Sequence, residues 1–191
     1  MPYVPCPTCG LRTYCISGEE CPLCGTPLGR RSHVSSRPRE GAGADACLPG
    51  PIEELLADAR EELRMDAALL SQIRDGREVV LSAVGNGRVP AAAGVSSPLG
   101  DTICRHLLEG TIAGVVPDTG REAALRELPV VRDSGLRSYV GVAIGIPGDG
   151  RFVLCCVASD ARPDLGEEDV RFLRGLAEQL RPVLGWAGGS V

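Results

Sequence analysis

Arg137-Ser-Tyr-Val-Gly-Val-Ala-Ile-Gly-Ile-Pro147, then Gly148-Asp-Gly150, then Arg151-Phe-Val-Leu-Cys-Cys-Val-Ala158, reads as two apolar strands joined by a tight turn. Val140, Val142, Ile144 and Ile146 fall on one face at period two, and Gly141 and Gly145 keep the other face narrow. Gly148-Asp149-Gly150 supplies the positive-φ positions that a hairpin turn needs. The second strand is apolar on both faces, which predicts a central strand covered on both sides.

Outward from this hairpin, Gly166–Trp186 reads as a long closing helix, acidic at its start and carrying Leu173, Ala177, Leu180 and Leu184 at helical spacing. Towards the N-terminus, Arg121–Leu128 reads as a short helix, Val115–Asp118 as a strand end and Leu99–Leu108 as another short helix ended by Gly110. Gly85–Ser97 reads as a loop. Glu78–Val84 and Asp66–Arg74 read as a strand pair turning at Asp75-Gly76. Pro51–Met65 reads as a helix, with Pro51 in the first turn, Glu53 and Glu54 at the positive end of its dipole, and Ile52, Leu55, Leu56, Ala59 and Leu63 on one face. Strands adjacent in sequence join by tight turns, so the sheet is expected to be largely antiparallel and the class α+β.

The first 29 residues differ in kind. Cys6-Pro-Thr-Cys9-Gly10 and Cys21-Pro-Leu-Cys24-Gly25 are near-copies, and five of the nine cysteines lie within residues 1–24. Each CPxCG loop presents two thiolates on a turn, and two such loops make a tetrahedral S₄ site of the kind zinc prefers in closed structural sites. So short a segment has almost no core, and metal binding would supply its folding free energy, on the order of 10 kcal/mol. It resembles a zinc ribbon of the rubredoxin-like knuckle type. The expected ligands of Zn²⁺ are Cys6, Cys9, Cys21 and Cys24, with iron as the rival metal; Cys15 is read as a non-ligating thiol. Residues 30–50, rich in Gly, Ser, Pro and Arg, read as a flexible linker holding His33 and an unpartnered Cys47. The expected organisation is therefore a ribbon over 1–29, a linker over 30–50 and a folded body over 51–191.

Composition sets limits. All 20 basic residues are arginine, the formal net charge is −5, and residues 1–50 hold five arginines against four acids while the rest hold fifteen against twenty-one. This balance argues against wholesale nucleic-acid binding and leaves only Arg12, Arg30 and Arg31 near the ribbon for a few phosphates. No apolar run approaches the roughly 20 residues of a membrane helix. The start has no signal-peptide pattern, which predicts a cytoplasmic location.

The body carries a family resemblance. Asp101-Thr-Ile-Cys104, Glu109-Gly110, Val116-Pro117-Asp118-Thr119, Leu128-Pro129-Val130, Gly135-Leu-Arg-Ser-Tyr-Val-Gly141 and Leu154-Cys-Cys-Val157 resemble, in order and spacing, the GAF domains of bacterial signalling proteins. The resemblance, over residues 52–184, implies a central antiparallel sheet, a ligand pocket on one side, and first and last helices packed behind it, where members of the family often dimerise. One departure is clear: members of the family usually have a longer second strand with a Gly before the Leu-Cys-Cys run, and the shorter Arg151–Leu154 here bears on strand length and pocket volume. Cyclic-nucleotide-binding members carry an Asn–Lys–Phe–Asp–Glu pattern that a chain without lysine cannot supply. Haem-binding members use a His before the last hairpin, and bilin-binding members a Cys-His pair. Residues 119–140 contain neither.

Asp118, Arg137 and Tyr139 are candidate ligand-binding residues, expected at strand ends near the pocket mouth. Cys104, Cys155 and Cys156 are candidate redox residues. Cys155 and Cys156, adjacent on a strand, must face opposite sides, so one of them faces the pocket and could meet Cys104. Cys104 and His106 lie about 200° apart on a helix and form no common site. The expected function is a non-enzymatic signalling protein that senses a small molecule or redox state, or binds a protein, with the ribbon as a docking module. The alternatives are a thiol-based redox sensor or reductase and a nucleic-acid-binding regulator acting through the ribbon.

Overall fold

The computed structural model describes residues 3–5, 12–14, 51–146 and 150–186. Cys6, Cys9, Cys15, Cys21, Cys24 and Cys47, the linker, and the turn residues Gly148 and Asp149 lie outside the described residues. In the N-terminal part, β1 (Tyr3–Pro5) and β2 (Arg12–Tyr14) pair antiparallel, Tyr3 opposite Tyr14 and Pro5 opposite Arg12. The first CPxCG motif is thus the stretch that joins two paired strands.

The body begins with α1 (Pro51–Glu62), which turns Ile52, Leu56 and Ala59 inward, followed by the buried Leu63. It ends where Arg64 takes a φ of 50°. β3 (Ala67–Arg74) and β4 (Arg77–Gly85) follow as a hairpin whose turn, Asp75-Gly76, has φ of 52° and 71°. Positive φ at both central residues is the mark of the turn that matches strand twist. β7 (Ser138–Ile146) and β8 (Gly150–Ala158) form the second hairpin, paired from Ser138↔Ala158 to Ile146↔Gly150. β8 also pairs with β3, Ala67 opposite Val157. With the edge strands β5 (Ser96–Pro98) and β6 (Val115–Val116), the sheet runs β5-β4-β3-β8-β7-β6, and every pairing is antiparallel. β8 is central, as its two apolar faces require.

The sheet separates two apolar layers. α1 and α4 (Glu167–Trp186) cover one face, where Ala68, Leu70, Val140, Val142, Ile144, Leu154 and Cys156 meet Leu56, Leu173 and Leu180. The other face carries Ala67, Tyr139, Val153, Cys155 and Val157 beneath α2 (Ile103–Leu108), α3 (Pro129–Ser134) and the chain between them. The family's implied pair of packed terminal helices behind the sheet is present.

Four local expectations are corrected. Residues 121–128 are a run of turns, closed by Glu122 N–H to Thr119 O, Leu125 N–H to Glu122 O and Leu128 N–H to Leu125 O. The helix starts later because Pro129 occupies its first turn and cannot donate to a preceding carbonyl. Leu99–Leu108 is not one helix: Leu99–Asp101 is a 3₁₀ turn, and Thr102 is extended (φ −116°, ψ 155°) before α2 begins. The loop 85–97 ends in β5, a polar strand whose pairing with β4 continues through Val80 N–H to Val95 O. β8 is not shortened by its lead-in; it matches the nine residues of β7.

Candidate functional site

On the sheet face away from α1 and α4, a cavity of about 80 Å³ lies between β4, β7 and β8 below and α2 and α3 above. Its walls are mostly apolar, among them Leu69, Ile103, Leu136 and Val157; its polar lining is Glu78, Thr102, Cys104, Ser134, Tyr139 and Cys155.

Each polar side chain arrives by a local rule. In β4, Val79 and Leu81 turn towards the helix-covered face, so period two puts Glu78 on the cavity side. Thr102 stands before α2 and closes the 3₁₀ turn by donating its hydroxyl to Leu99 O at 3.0 Å. Ser134, in the last turn of α3, donates its hydroxyl to Val130 O four residues back. Gly135 then takes φ 68° and ends the helix. Tyr139 and Cys155 alternate with Val140 and Cys156 on their strands.

Tyr139 lies flat along β7 over Gly141. A methyl group built on Gly141 would sit 2.2 Å from the Tyr139 hydroxyl and 2.5 Å from the adjoining ring carbon. The ring is 1% exposed, and its hydroxyl lies 3.7 Å from Cys104 Sγ. Cys104 in turn donates its one proton to Glu78 Oε1 at 3.2 Å. The Tyr139 hydroxyl must therefore be the donor to the sulfur, giving a directed chain Tyr139 → Cys104 → Glu78. Hydrogen bonding with Cys155, burial and the Glu78 charge push the Cys104 thiol well above its ordinary pKa. Burial, then the neighbouring thiols, push the Tyr139 phenol up likewise. Both stay protonated at neutral pH.

The candidate residues thus divide. Cys104, Cys155 and Tyr139 share the cavity. Cys156 faces α1 and α4, where burial and then Cys155 raise its pKa, and it is not part of the cavity lining. Asp118 and Arg137 are not with Tyr139. They form a two-pronged ion pair, Arg137 Nε and Nη2 reaching Asp118 Oδ1 at 3.1 and 2.9 Å. That pairing holds the Asp118 carboxyl below its usual range. The pair fastens the loop after β6 to the start of β7, beside an open cleft of about 320 Å³ lined by Pro117, Asp118, Arg121, Glu122, Ala161 and Pro163. The expectation of one pocket mouth shared by Asp118, Arg137 and Tyr139 is corrected: Arg137, just before β7, is exposed, and Tyr139, two residues later, is locked under α2.

His106, beside Cys104 in sequence, is buried and turned elsewhere. Thr111 Oγ1 donates to His106 O at 3.0 Å, so the 2.9 Å contact between Thr111 Oγ1 and His106 Nδ1 requires the proton on Nδ1. Glu78 went unrecognised in the sequence reading. The signal was there: one acid opening an apolar strand whose other parity, Val79 and Leu81, faces the helices.

Among the described residues no three His, Cys, Asp or Glu side chains are placed to hold a metal ion, and no helix is long and apolar enough to cross a membrane. No curated protein matches the sequence. The fold is shared with solved structures at low identity. The blue-light-absorbing form of the Thermosynechococcus elongatus PixJ GAF domain is 20% identical, with a TM-score of 0.56 over 70% of this chain and 82% of that one. The phycoerythrobilin-bound GAF domain of a cyanobacterial phytochrome is 17% identical, with a TM-score of 0.54 over 69% and 82%. The chromophore-binding domain of Stigmatella aurantiaca phytochrome P1 is 13% identical, with a TM-score of 0.53 over 68% and 52%. The sequence model of the GAF domain matches residues 52–182, most of the chain, and the chain belongs to the GAF domain family.

Proposed function

We propose that this protein is a non-enzymatic sensory module of the cytoplasm. Its GAF body reads a small molecule on the sheet face opposite α1 and α4, and its N-terminal head is a zinc-clamped docking element for a partner protein. The observation that carries the reading is the cavity under α2. Side chains from β3, β4, α2, α3, β7 and β8 converge there on an apolar space with a few fixed polar groups, the usual make-up of a ligand site. The phycoerythrobilin bound in one of the solved structures does not suit it. A linear tetrapyrrole with acidic side chains needs space of several hundred Å³ and cations, and this lining offers about 80 Å³ and one carboxylate.

Zinc suits the head by the chemistry of its donors: Cys6, Cys9, Cys21 and Cys24 offer an S₄ set, and in sequence the first pair falls between β1 and β2. Bound zinc would cross-link the head. The chain's own part is to supply four thiolates and the strand pair that carries the first two. Among the alternatives, thiolate redox chemistry at Cys104 is disfavoured by its raised pKa. Dimerisation through α1 and α4 stays part of the proposal, since both helices lie on one face of the sheet.

Native mass spectrometry of the full chain tests the head. One zinc per chain is expected, lost in Cys6→Ser and Cys21→Ser. Full retention of fold and partner binding by metal-free protein would overturn the docking role. For the body, a cavity-filling Leu136→Trp variant is expected to abolish small-molecule thermal stabilisation of the protein; undiminished stabilisation would overturn the site.

A further inference from the structure

The cavity has a chemical bias that its shape alone does not give, because the protons of Thr102, Ser134, Cys104 and Tyr139 in its lining are already committed. Thr102 Oγ1 donates to Leu99 O, Ser134 Oγ to Val130 O and Cys104 Sγ to Glu78 Oε1, which leaves the Tyr139 hydroxyl as donor to the Cys104 sulfur. What remains is acceptor capacity. The Thr102 and Ser134 oxygens keep lone pairs, and Glu78 Oε2 has no partner among the described residues. Charge points the same way. Glu78 is the one charged side chain of the lining and makes no ion pair among the described residues. A half-buried carboxylate at the edge of an apolar space, with no cation of its own, gains charge-assisted hydrogen bonds from a cation seated beside it.

We propose that this cavity binds a small organic cation, a primary ammonium group on a short alkyl chain. Its N–H protons go to Glu78 Oε2, Thr102 and Ser134, and its carbons pack on Leu69, Leu136 and Val157. The inference rests on the sensory reading above and names the ligand class of that same site. Size agrees: about 80 Å³ is the space of roughly three waters at about 30 Å³ each, and ethylammonium has about as many heavy atoms. Selectivity follows from donor count. An ammonium offers three donors to a lining whose oxygens are left as acceptors, an alcohol offers one, and a carboxylate offers none while meeting Glu78 with like charge. Cys104 acts here as a positioning residue, holding Glu78 Oε1 and thereby setting where Oε2 lies.

The test is titration of the full chain with ethylammonium chloride followed by amide ¹H–¹⁵N shifts, with ethanol and sodium acetate as neutral and anionic counterparts. Saturable shifts are expected at Glu78, at residues 102–104 and at residues 134–139, with ethanol and acetate at least about tenfold weaker, the worth of one charge-assisted hydrogen bond. Glu78→Gln should lower ethylammonium affinity by about tenfold or more. Ser134→Ala, which removes one acceptor and leaves the charge, should lower it several-fold and serves if the Glu78 variant does not fold. Unchanged affinity in either folded variant overturns the proposal. Acetate or ethanol binding as tightly as ethylammonium at these residues overturns the cation assignment and leaves the sensory site standing. Absence of saturable shifts there with any of the three probes overturns both.

Discussion

Gly141→Ala should destabilise the body far beyond an ordinary strand substitution, and the reason is one ring. The added methyl would lie 2.2 Å from the Tyr139 hydroxyl oxygen and 2.5 Å from the nearest ring carbon. An ordinary carbon–oxygen contact needs more than 3 Å, so the ring must move by about 1 Å. It has nowhere easy to go: Tyr139 is 1% exposed, packed among Val116, Leu136, Cys104 and Cys155. Overpacking of a filled core costs about 1–3 kcal/mol, and a buried ring pushed off its hydrogen bond belongs at the upper end, about 2–3 kcal/mol. For a chain of this size that is a fall in Tm of roughly 6–9 °C. Urea unfolding with a double-mutant cycle isolates the cause. In a Tyr139→Ala background the same methyl meets open space, so Gly141→Ala should cost less than about 0.5 kcal/mol there, giving a coupling of about 2 kcal/mol. A cost in the single variant below about 0.5 kcal/mol, or an equal cost in both backgrounds, refutes the reasoning. Gly145→Ala is the internal control: nothing lies within 4 Å of its added methyl, so no clash is expected.

Further outcomes follow from the polar contacts. Asp66 is 5% exposed and gathers Ser159 N–H at 2.8 Å, Ser159 Oγ at 2.7 Å and Asn86 Nδ2 at 2.8 Å, tying the ends of β4, β3 and β8. Burial pushes its pKa up, but these hydrogen bonds and Arg88 outweigh it and hold the carboxyl below its ordinary value. Its stabilisation is therefore complete above about pH 5 and is lost as pH falls below about 4. Asp66→Asn should cost about 2–3 kcal/mol at neutral pH, and that difference should shrink in acid unfolding curves. Arg162 holds the Asp164 carboxyl at about 2 while its Nη1 caps Leu63 O and Arg64 O at the end of α1. In Arg162→Gln, NMR titration should show Asp164 returning towards the ordinary range near 3.9. Cys104, Cys155 and Cys156 are at most 3% exposed and should resist iodoacetamide in the native state, reacting only on unfolding. Modification of Cys104 within minutes in native buffer would restore the redox reading.

Much of the architecture was legible because it rests on short-range rules. Val140, Val142 and Ile144 alternate with Gly141 and Gly145, Asp75-Gly76 forces a turn, and Leu154 to Val157 has no polar face to leave in water. What escaped lacks such a signature. Ser96–Pro98 is a polar three-residue strand that exists because β4 offers an edge. The helix of residues 129–134 is fixed by one proline, while 121–128 has the composition of a helix and packs inward only through Leu125 and Leu128. The site was half legible. Opposite facing of Cys155 and Cys156 follows from strand period, and their meeting or missing Cys104 depends on how α2 settles on the sheet. Gly141 reads as a narrow spot in the strand, and only the folded chain shows it to be the seat of the Tyr139 ring. Glu78 becomes a pocket residue through contact with α2, some 26 positions away in sequence at Cys104, a distance no local pattern spans.

The central claim is that the sheet face under α2 is where this GAF domain reads its signal. The most direct measurement is an amide chemical-shift map of the full chain titrated with the small-molecule fraction of its host's lysate. The account predicts saturable changes gathered at Glu78, at residues 102–104, at residues 134–139 and at residues 155–157. Changes confined to the Asp118–Arg137 cleft or to α1 and α4, with the cavity residues unmoved, would contradict it.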